Sequence, residues 1–90
     1  MRDEDDSTPL HDASAGGYTE IVTMLLDKEQ SSLTAKDKDG QTPLHLAANG
    51  NQVEVTRQLF AAGADPRAVD AMGKEPKDLT DDDDIRQLLQ

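Results

Sequence analysis

Two histidines are the side chains of this protein best suited to chemistry, because an imidazole can carry a proton or ligate a metal. His11 and His45 are its only histidines and it has no cysteine, so a soft-metal site would lack its remaining ligands. No serine lies in a nucleophile-elbow pattern, and no glycine-rich stretch has the spacing of a phosphate loop. The sequence therefore predicts no enzyme, no metal site and no cofactor.

Four consecutive aspartates, Asp81 to Asp84, supply oxygen ligands of the kind that Ca²⁺ prefers. A dedicated calcium loop spaces its oxygens alternately and includes a turn glycine, and this run has neither. Aspartate is also a strong helix N-cap, and the helix dipole favours negative charge at a helix N-terminus. We therefore interpret the run as the beginning of the last helix.

The charge of the chain limits its partners. Its 90 residues include 19 acids and 9 bases, which gives a net charge of −10. Such a chain is repelled by phosphate backbones and anionic lipid, so we expect neither nucleic acid nor a membrane as a partner, and a basic patch on another protein fits better. The lack of cysteine, of a secretory start and of a long apolar run favours the cytoplasm or nucleus.

Both histidines end the same tetrapeptide. Thr-Pro-Leu-His occurs at residues 8–11 and again at 42–45, 34 residues later. The match continues to residue 26 over residue 60, and a third, shorter copy places residues 75–80 over 42–47. In that copy we expect Ile85 to Leu89 to correspond to Val22 to Leu26. A fixed period of this length indicates stacked repeats.

Each full copy predicts two helices. Thr42 is a good N-cap, and Pro43 then lies at the first helical position, where its missing N–H costs nothing. Asn51, like Gly17 in the first copy, suits a left-handed helix C-cap. A second helix is predicted from Val53 to Ala61.

Neither helix pair can bury its apolar face alone, whereas a stack of pairs can. We expect Leu46, Val55, Leu59 and Phe60 to face the core between repeats. Residues 37–40 and 70–73 begin with aspartate and end with glycine, a composition that predicts tight turns with glycine at the strained position.

These features resemble the ankyrin repeat. The resemblance is carried by residues 42–48, 59–65 and 70–73 and covers about residues 5–90. It implies one all-α solenoid domain of helix–loop–helix units joined by β-hairpin-like turns, or fingers. The repeats are expected at about residues 5–38 and 39–71, with a truncated capping repeat at about 72–90. It also implies that His11 and His45 are structural, each bonded to the neighbouring threonine and to finger backbone.

The chain departs from the family pattern in several places. Tyr18 and Gln52 stand where a histidine usually opens the second helix, and residues 29–32 replace the Gly-Ala-Asp that follows that helix in the next copy. Asp12 and Lys77 replace apolar residues in the end copies, where a face without a neighbour meets water. We interpret both as capping substitutions.

The resemblance implies binding of another protein through the fingertips and the concave face of the inner helices. The residues expected to contact it are Lys38, Asp39, Gln41, Asn49, Ala71, Met72 and Lys74. Met72 is either an apolar anchor for the partner or a cover for the adjacent turn. The alternative function is a structural spacer in a larger multidomain protein. We expect a monomer or a fragment of a longer chain.

Overall fold

The computed structural model describes residues 8–28 and 33–89, which build two rows of helices. In chain order these are α1 (Pro9–Gly16), α2 (Thr19–Lys28), α3 (Pro43–Asn49), α4 (Val53–Ala61), a 3₁₀ helix (Pro76–Leu79) and α5 (Asp83–Leu88). The described ranges contain no β-strand, and the expected all-α solenoid is confirmed. The predicted departure at residues 29–32 and the acidic residues before Ser7 lie outside the described residues.

The inner row consists of α1, α3 and the 3₁₀ helix, and the outer row consists of α2, α4 and α5. Each inner helix packs on the next inner one, α2 packs on α4, and α4 packs on α5. Within a repeat, α1 contacts α2 and α3 contacts α4. This arrangement gives every repeat a neighbour against which to bury its apolar side chains.

The ends of the inner helices are fixed by local chemistry. The side chains of Thr8 and Thr42 accept the N–H groups of His11 and His45, with proline at the first helical position in both cases. At the other end, Asn51 has a positive φ of 56°, and the following N–H reaches back to the carbonyl of Ala47. These φ values and hydrogen bonds confirm the predicted caps. Asparagine suits the C-terminal position because, besides glycine, only a few polar residues readily adopt a positive φ.

The core is aliphatic and lies between the two rows. Alanines on α3 have no exposed surface, so neighbouring helices approach closely there. The fully buried side chains of the core are Leu10, Val22, Leu44, Ala47, Ala48, Val55, Leu59 and Ile85.

Two predicted core positions are wrong. Phe60 remains 39% exposed, because it follows the buried Leu59 by one position, and one helical step turns a side chain to a different face. Leu46 is half-buried and outside the core cluster. Its equivalent in the first repeat, Asp12, is exposed on α1, so this position belongs to the margin of the inner row.

The predicted register of the third repeat is also wrong by one residue. Ile85 and Leu89 are both buried, as Val55 and Leu59 are, whereas the expected match would place Leu89 at the position of the exposed Phe60. Asp82 caps α5 by accepting the N–H groups of Asp84 and Ile85. The aspartate run therefore begins the last helix, as expected.

None of the helices in the described ranges is long and apolar enough to cross a lipid bilayer.

The core assignment predicts unequal costs for two leucine truncations. Leu59→Ala removes a side chain with no exposed surface and should lower the free energy of unfolding by about 2–5 kcal/mol. Leu46→Ala, at a half-buried position, should cost about 1 kcal/mol. Urea unfolding followed by circular dichroism measures both, and equal losses would contradict the burial difference.

Candidate functional site

Residues 37–41 form the first finger, a turn organised by one carboxylate. The Asp37 Oδ1 atom accepts the backbone N–H groups of Asp39 and Gln41, both at 2.9 Å. Asp37 and Gln41 also pair through their backbone, and Gly40 has a φ of 74°. The turn is thus fixed from inside, and Lys38 and Asp39 are exposed at its tip.

Residues 70–74 form the second finger and repeat this chemistry. The Asp70 Oδ1 atom accepts the N–H groups of Met72 at 2.8 Å and Lys74 at 3.0 Å. The bond from Lys74 is the main reason that the pKa of Asp70 lies below the 3.8 usual for an aspartate. The Met72 N–H and the Gln41 side chain lower the pKa further, while desolvation opposes them.

The two fingers lie side by side in a fixed register. The backbone N–H of Ala71 donates to the carbonyl of Asp39 at 2.9 Å. A Cβ atom added to Gly40 would lie 2.8 Å from the Ala71 nitrogen, so glycine is needed there for close approach as well as for its positive φ. Fingertip side chains from two repeats therefore share one surface.

Each buried histidine connects an inner helix to the finger that follows it. The Nδ1 atoms of His11 and His45 accept the backbone N–H groups of Thr8 and Thr42, both at 3.1 Å. Their Nε2 atoms lie 2.8 Å from the carbonyl oxygens of Gln41 and Lys74. A carbonyl only accepts, so each Nε2 carries the hydrogen and donates it. These contacts agree with the structural role expected for both residues.

The third repeat has an aspartate in the histidine position. The Asp78 Oδ2 atom accepts the N–H of Glu75 at 3.0 Å, as the imidazole Nδ1 does in the other two repeats. A carboxylate has no hydrogen to donate onward. It reproduces only the capping half of the histidine contact.

The structure brings together most of the residues expected to contact a partner. Lys38, Asp39, Ala71 and Met72 are exposed at the adjoining fingertips, and Met72 is 82% exposed. Such exposure leaves Met72 little contact with the turn beneath it, so the alternative that it covers that turn finds no support.

Three further expected residues are placed differently. The backbone and side chain of Gln41 are used within the fold, by His11 and by Asp70. Lys74 is exposed, although its backbone carbonyl accepts from His45. Asn49 is exposed at the far end of α3, about 10 Å from the finger end of that seven-residue helix.

Sequence reasoning missed an exposed apolar surface formed by Tyr18 and by the α2 helix that follows it. Tyr18, Ile21 and Met24 are 59%, 43% and 57% exposed. The repeat period did not predict this exposure, because Ile21 is equivalent to Val55, which is buried. Only the place of α2 at one end of the stack distinguishes the two.

A groove of about 260 Å³ lies between the segments that follow α2 and α4, lined by Leu33, Thr34, Lys36, Thr42, Asp65 and Ala68. Among all the residues that the structure describes, no group of three or more histidines and acids is arranged to hold a metal ion.

The histidine bridges predict a single tautomer and a stability effect. Nitrogen-15 NMR should show His11 and His45 as neutral imidazoles with hydrogen on Nε2. His45→Ala leaves the Thr42 N–H and the Lys74 carbonyl without their partner and should cost about 1–3 kcal/mol of stability. An Nδ1–H tautomer, or unchanged unfolding of the variant, would contradict the bridge.

Asp70 should make the stability of the fold depend on acid pH. Because its folded-state pKa is lowered, the carboxylate stabilises the fold above the unfolded-state value, and this contribution is lost as pH falls through 3.8 toward the folded-state pKa. Asp70→Asn retains an oxygen that accepts both N–H groups and should flatten this part of the curve in urea unfolding. A carboxyl carbon of Asp70 that titrates at or above 3.8 would contradict the shift.

Comparison with known proteins identifies the family to which this arrangement of helices and fingers belongs. A family model described as ankyrin repeats, in three copies, matches residues 1–70. The search of curated proteins gave no match. Ankyrin repeats are in general modules that bind other proteins, and the family is typically non-enzymatic. The match covers more than half of the sequence and agrees with the resemblance of its motifs, so the chain belongs to the ankyrin-repeat family.

Proposed function

We propose that this domain recognises another protein through its two adjoining fingertips and the exposed end of α3. The observation that carries the proposal is the backbone bond from Ala71 to Asp39, because it aligns both fingers into one surface with the Met72 side chain standing out from it. An isolated, highly exposed apolar side chain on a rigid turn is the kind of group that anchors a protein interface.

The finger surface is held in place before a partner arrives. Aspartate fixes each turn from inside, and a buried imidazole fixes each finger to the helix before it. Association costs less conformational entropy when the contacting backbone is already ordered. Recognition would therefore rest on complementarity to a preformed shape, without a chemical step.

The charge of the fingertips differs from that of the whole chain. The two fingers, residues 37–41 and 70–74, contain two lysines and three aspartates, a local charge of −1, whereas the chain carries −10. A preference for a basic partner would thus act through long-range attraction during approach. At contact, the surface fits a partner with an apolar pocket and mixed charge around it.

Substitution of the exposed methionine tests this function. Met72→Glu places a charge where an apolar anchor is proposed and should abolish retention of the partner in affinity capture from the native lysate. Gln87→Glu adds the same charge at an exposed position of α5, away from the fingers, and should retain the partner. Circular dichroism of both variants checks that they fold.

Two results would count against the proposal. Retention of the same protein by wild type and Met72→Glu would show that the fingertips are not its binding surface. A specifically retained protein should be displaced when free wild-type chain is added as a competitor. If no protein behaves in this way, the spacer function is the better account.

A further inference from the structure

Apolar side chains exposed just before α2 and along it form a stripe. Tyr18, Ile21 and Met24 are spaced at i, i+3 and i+6, so they follow one side of the helix, and all three are more than two-fifths exposed. We call them the edge stripe. A shallow cavity of about 290 Å³ lies beside it, lined by residues 17–21. Apolar groups gathered in this way mark interaction surfaces more often than single exposed ones do.

The internal period shows what these positions do in the next repeat. Gln52, Val55 and Gln58 lie 34 residues after the edge stripe, and both glutamines bond to the first repeat. The Gln52 amide donates to the Ala15 carbonyl at 3.3 Å, and the Gln58 amide donates to the Thr23 hydroxyl at 2.6 Å. Val55 lies between them and is 1% exposed. These positions are the ones by which a repeat contacts the unit before it.

The opposite end of the stack is finished differently. On α5, Asp83, Arg86 and Gln87 are exposed and polar, while Ile85 and Leu89 are buried against the rest of the stack. A polar outer face is how terminal repeats remain compatible with water. The α2 end presents tyrosine, isoleucine and methionine instead.

We propose that the edge formed by α1 and α2 is a docking surface for a further helix pair of another protein, stacked in the register of the repeats. The established interface between the two full repeats would then be continued by one step. The Gln58 amide of α4 donates to the Thr23 hydroxyl of α2. Met24 occupies the position of Gln58 in the first repeat, and its side chain cannot donate such a bond. The docking helix is therefore apolar where α2 has Thr23.

A second copy of this chain fits the edge less well. Asp12, Glu20 and Asp27 are exposed on the same two helices, and two edges placed face to face would bring these like charges together. Each chain also carries −10 overall, which opposes self-association. The surface differs from the fingertip site, so the inference stands apart from the proposed function.

Tyr18 makes the edge directly observable. It is the only tyrosine, and the chain has no tryptophan, so intrinsic fluorescence and its quenching by iodide report on this surface alone. Its ring lies against Gly16 and is 59% exposed. Coverage of the edge should therefore protect the fluorescence from the quencher.

A fusion chain tests whether the edge accepts a helix pair in this register. An additional repeat is placed before the first one by joining a copy of residues 37–74 directly to Thr8, in place of residues 1–7. The copy alone carries the substitution Arg57→Leu. The period is kept because Glu75, which follows Lys74, is equivalent to Thr8. Leucine stands in the copy where α2 has Thr23. We expect loss of iodide quenching of Tyr18 and a higher urea midpoint than in the parent chain.

Variants of the edge stripe separate docking from general stabilisation. Met24→Glu in the fusion chain should restore quenching of Tyr18 and lower the midpoint, and Ile21→Glu is a second test should one variant fold poorly. Gln87→Glu, with the same change of charge on α5, should leave the protection intact. Tyr18 fluorescence that remains as accessible in the fusion chain as in the parent would overturn the proposal.

Two measurements on the parent chain address other occupants. Sedimentation equilibrium should show a monomer, and a dimer that Ile21→Glu dissociates would assign the edge to a second copy instead. Deletion of residues 1–7 should leave Tyr18 quenching unchanged, and increased quenching would assign the edge to that segment. Either of these results would overturn the proposal of a docking helix pair.

Discussion

The structure depends on a buried imidazole that bonds in two directions. Toward its own helix it accepts the N–H of the N-cap threonine, and toward the next repeat it donates to a finger carbonyl 2.8 Å away. Both bonds are shielded from water, since His11 and His45 have no exposed surface, and shielding raises the cost of leaving such groups unpaired. Local helix capping and the spacing between repeats are therefore set by the same side chain.

Much of the fold could be predicted because its signals are local. Thr42-Pro43, the positive φ expected at Asn51 and the turn glycines each specify backbone geometry within a few residues, and the structure confirms them. Phe60 was misplaced because one helical step from the buried Leu59 turns its side chain to a different face. Leu46 was misplaced because burial at the margin of the inner row depends on neighbours distant in sequence. The register of the third repeat failed for the same reason, since a shortened copy has to be aligned by what it packs against.

The candidate site was harder to predict than the fold. The fingertip residues were named from the family pattern, and the structure adds that Gln41 is used within the fold and that Asn49 lies apart from the fingertips. The apolar edge at α2 could not be found by comparing copies, because Ile21 is exposed where its equivalent, Val55, is buried. Similarity between repeats predicts burial only where each unit has a neighbour on both sides. At the ends of the stack one neighbour is missing, so equivalent residues can differ in exposure.

Asp78 gives the array a direction. Its carboxylate caps the 3₁₀ helix through the Glu75 N–H but has no hydrogen for another carbonyl, and placing two acceptors together would repel. Another finger could not be attached beyond residue 78 by the bond that joins the first two. The exchange of an imidazole for a carboxylate therefore changes this position from one that fixes the following finger to one that only caps its own helix.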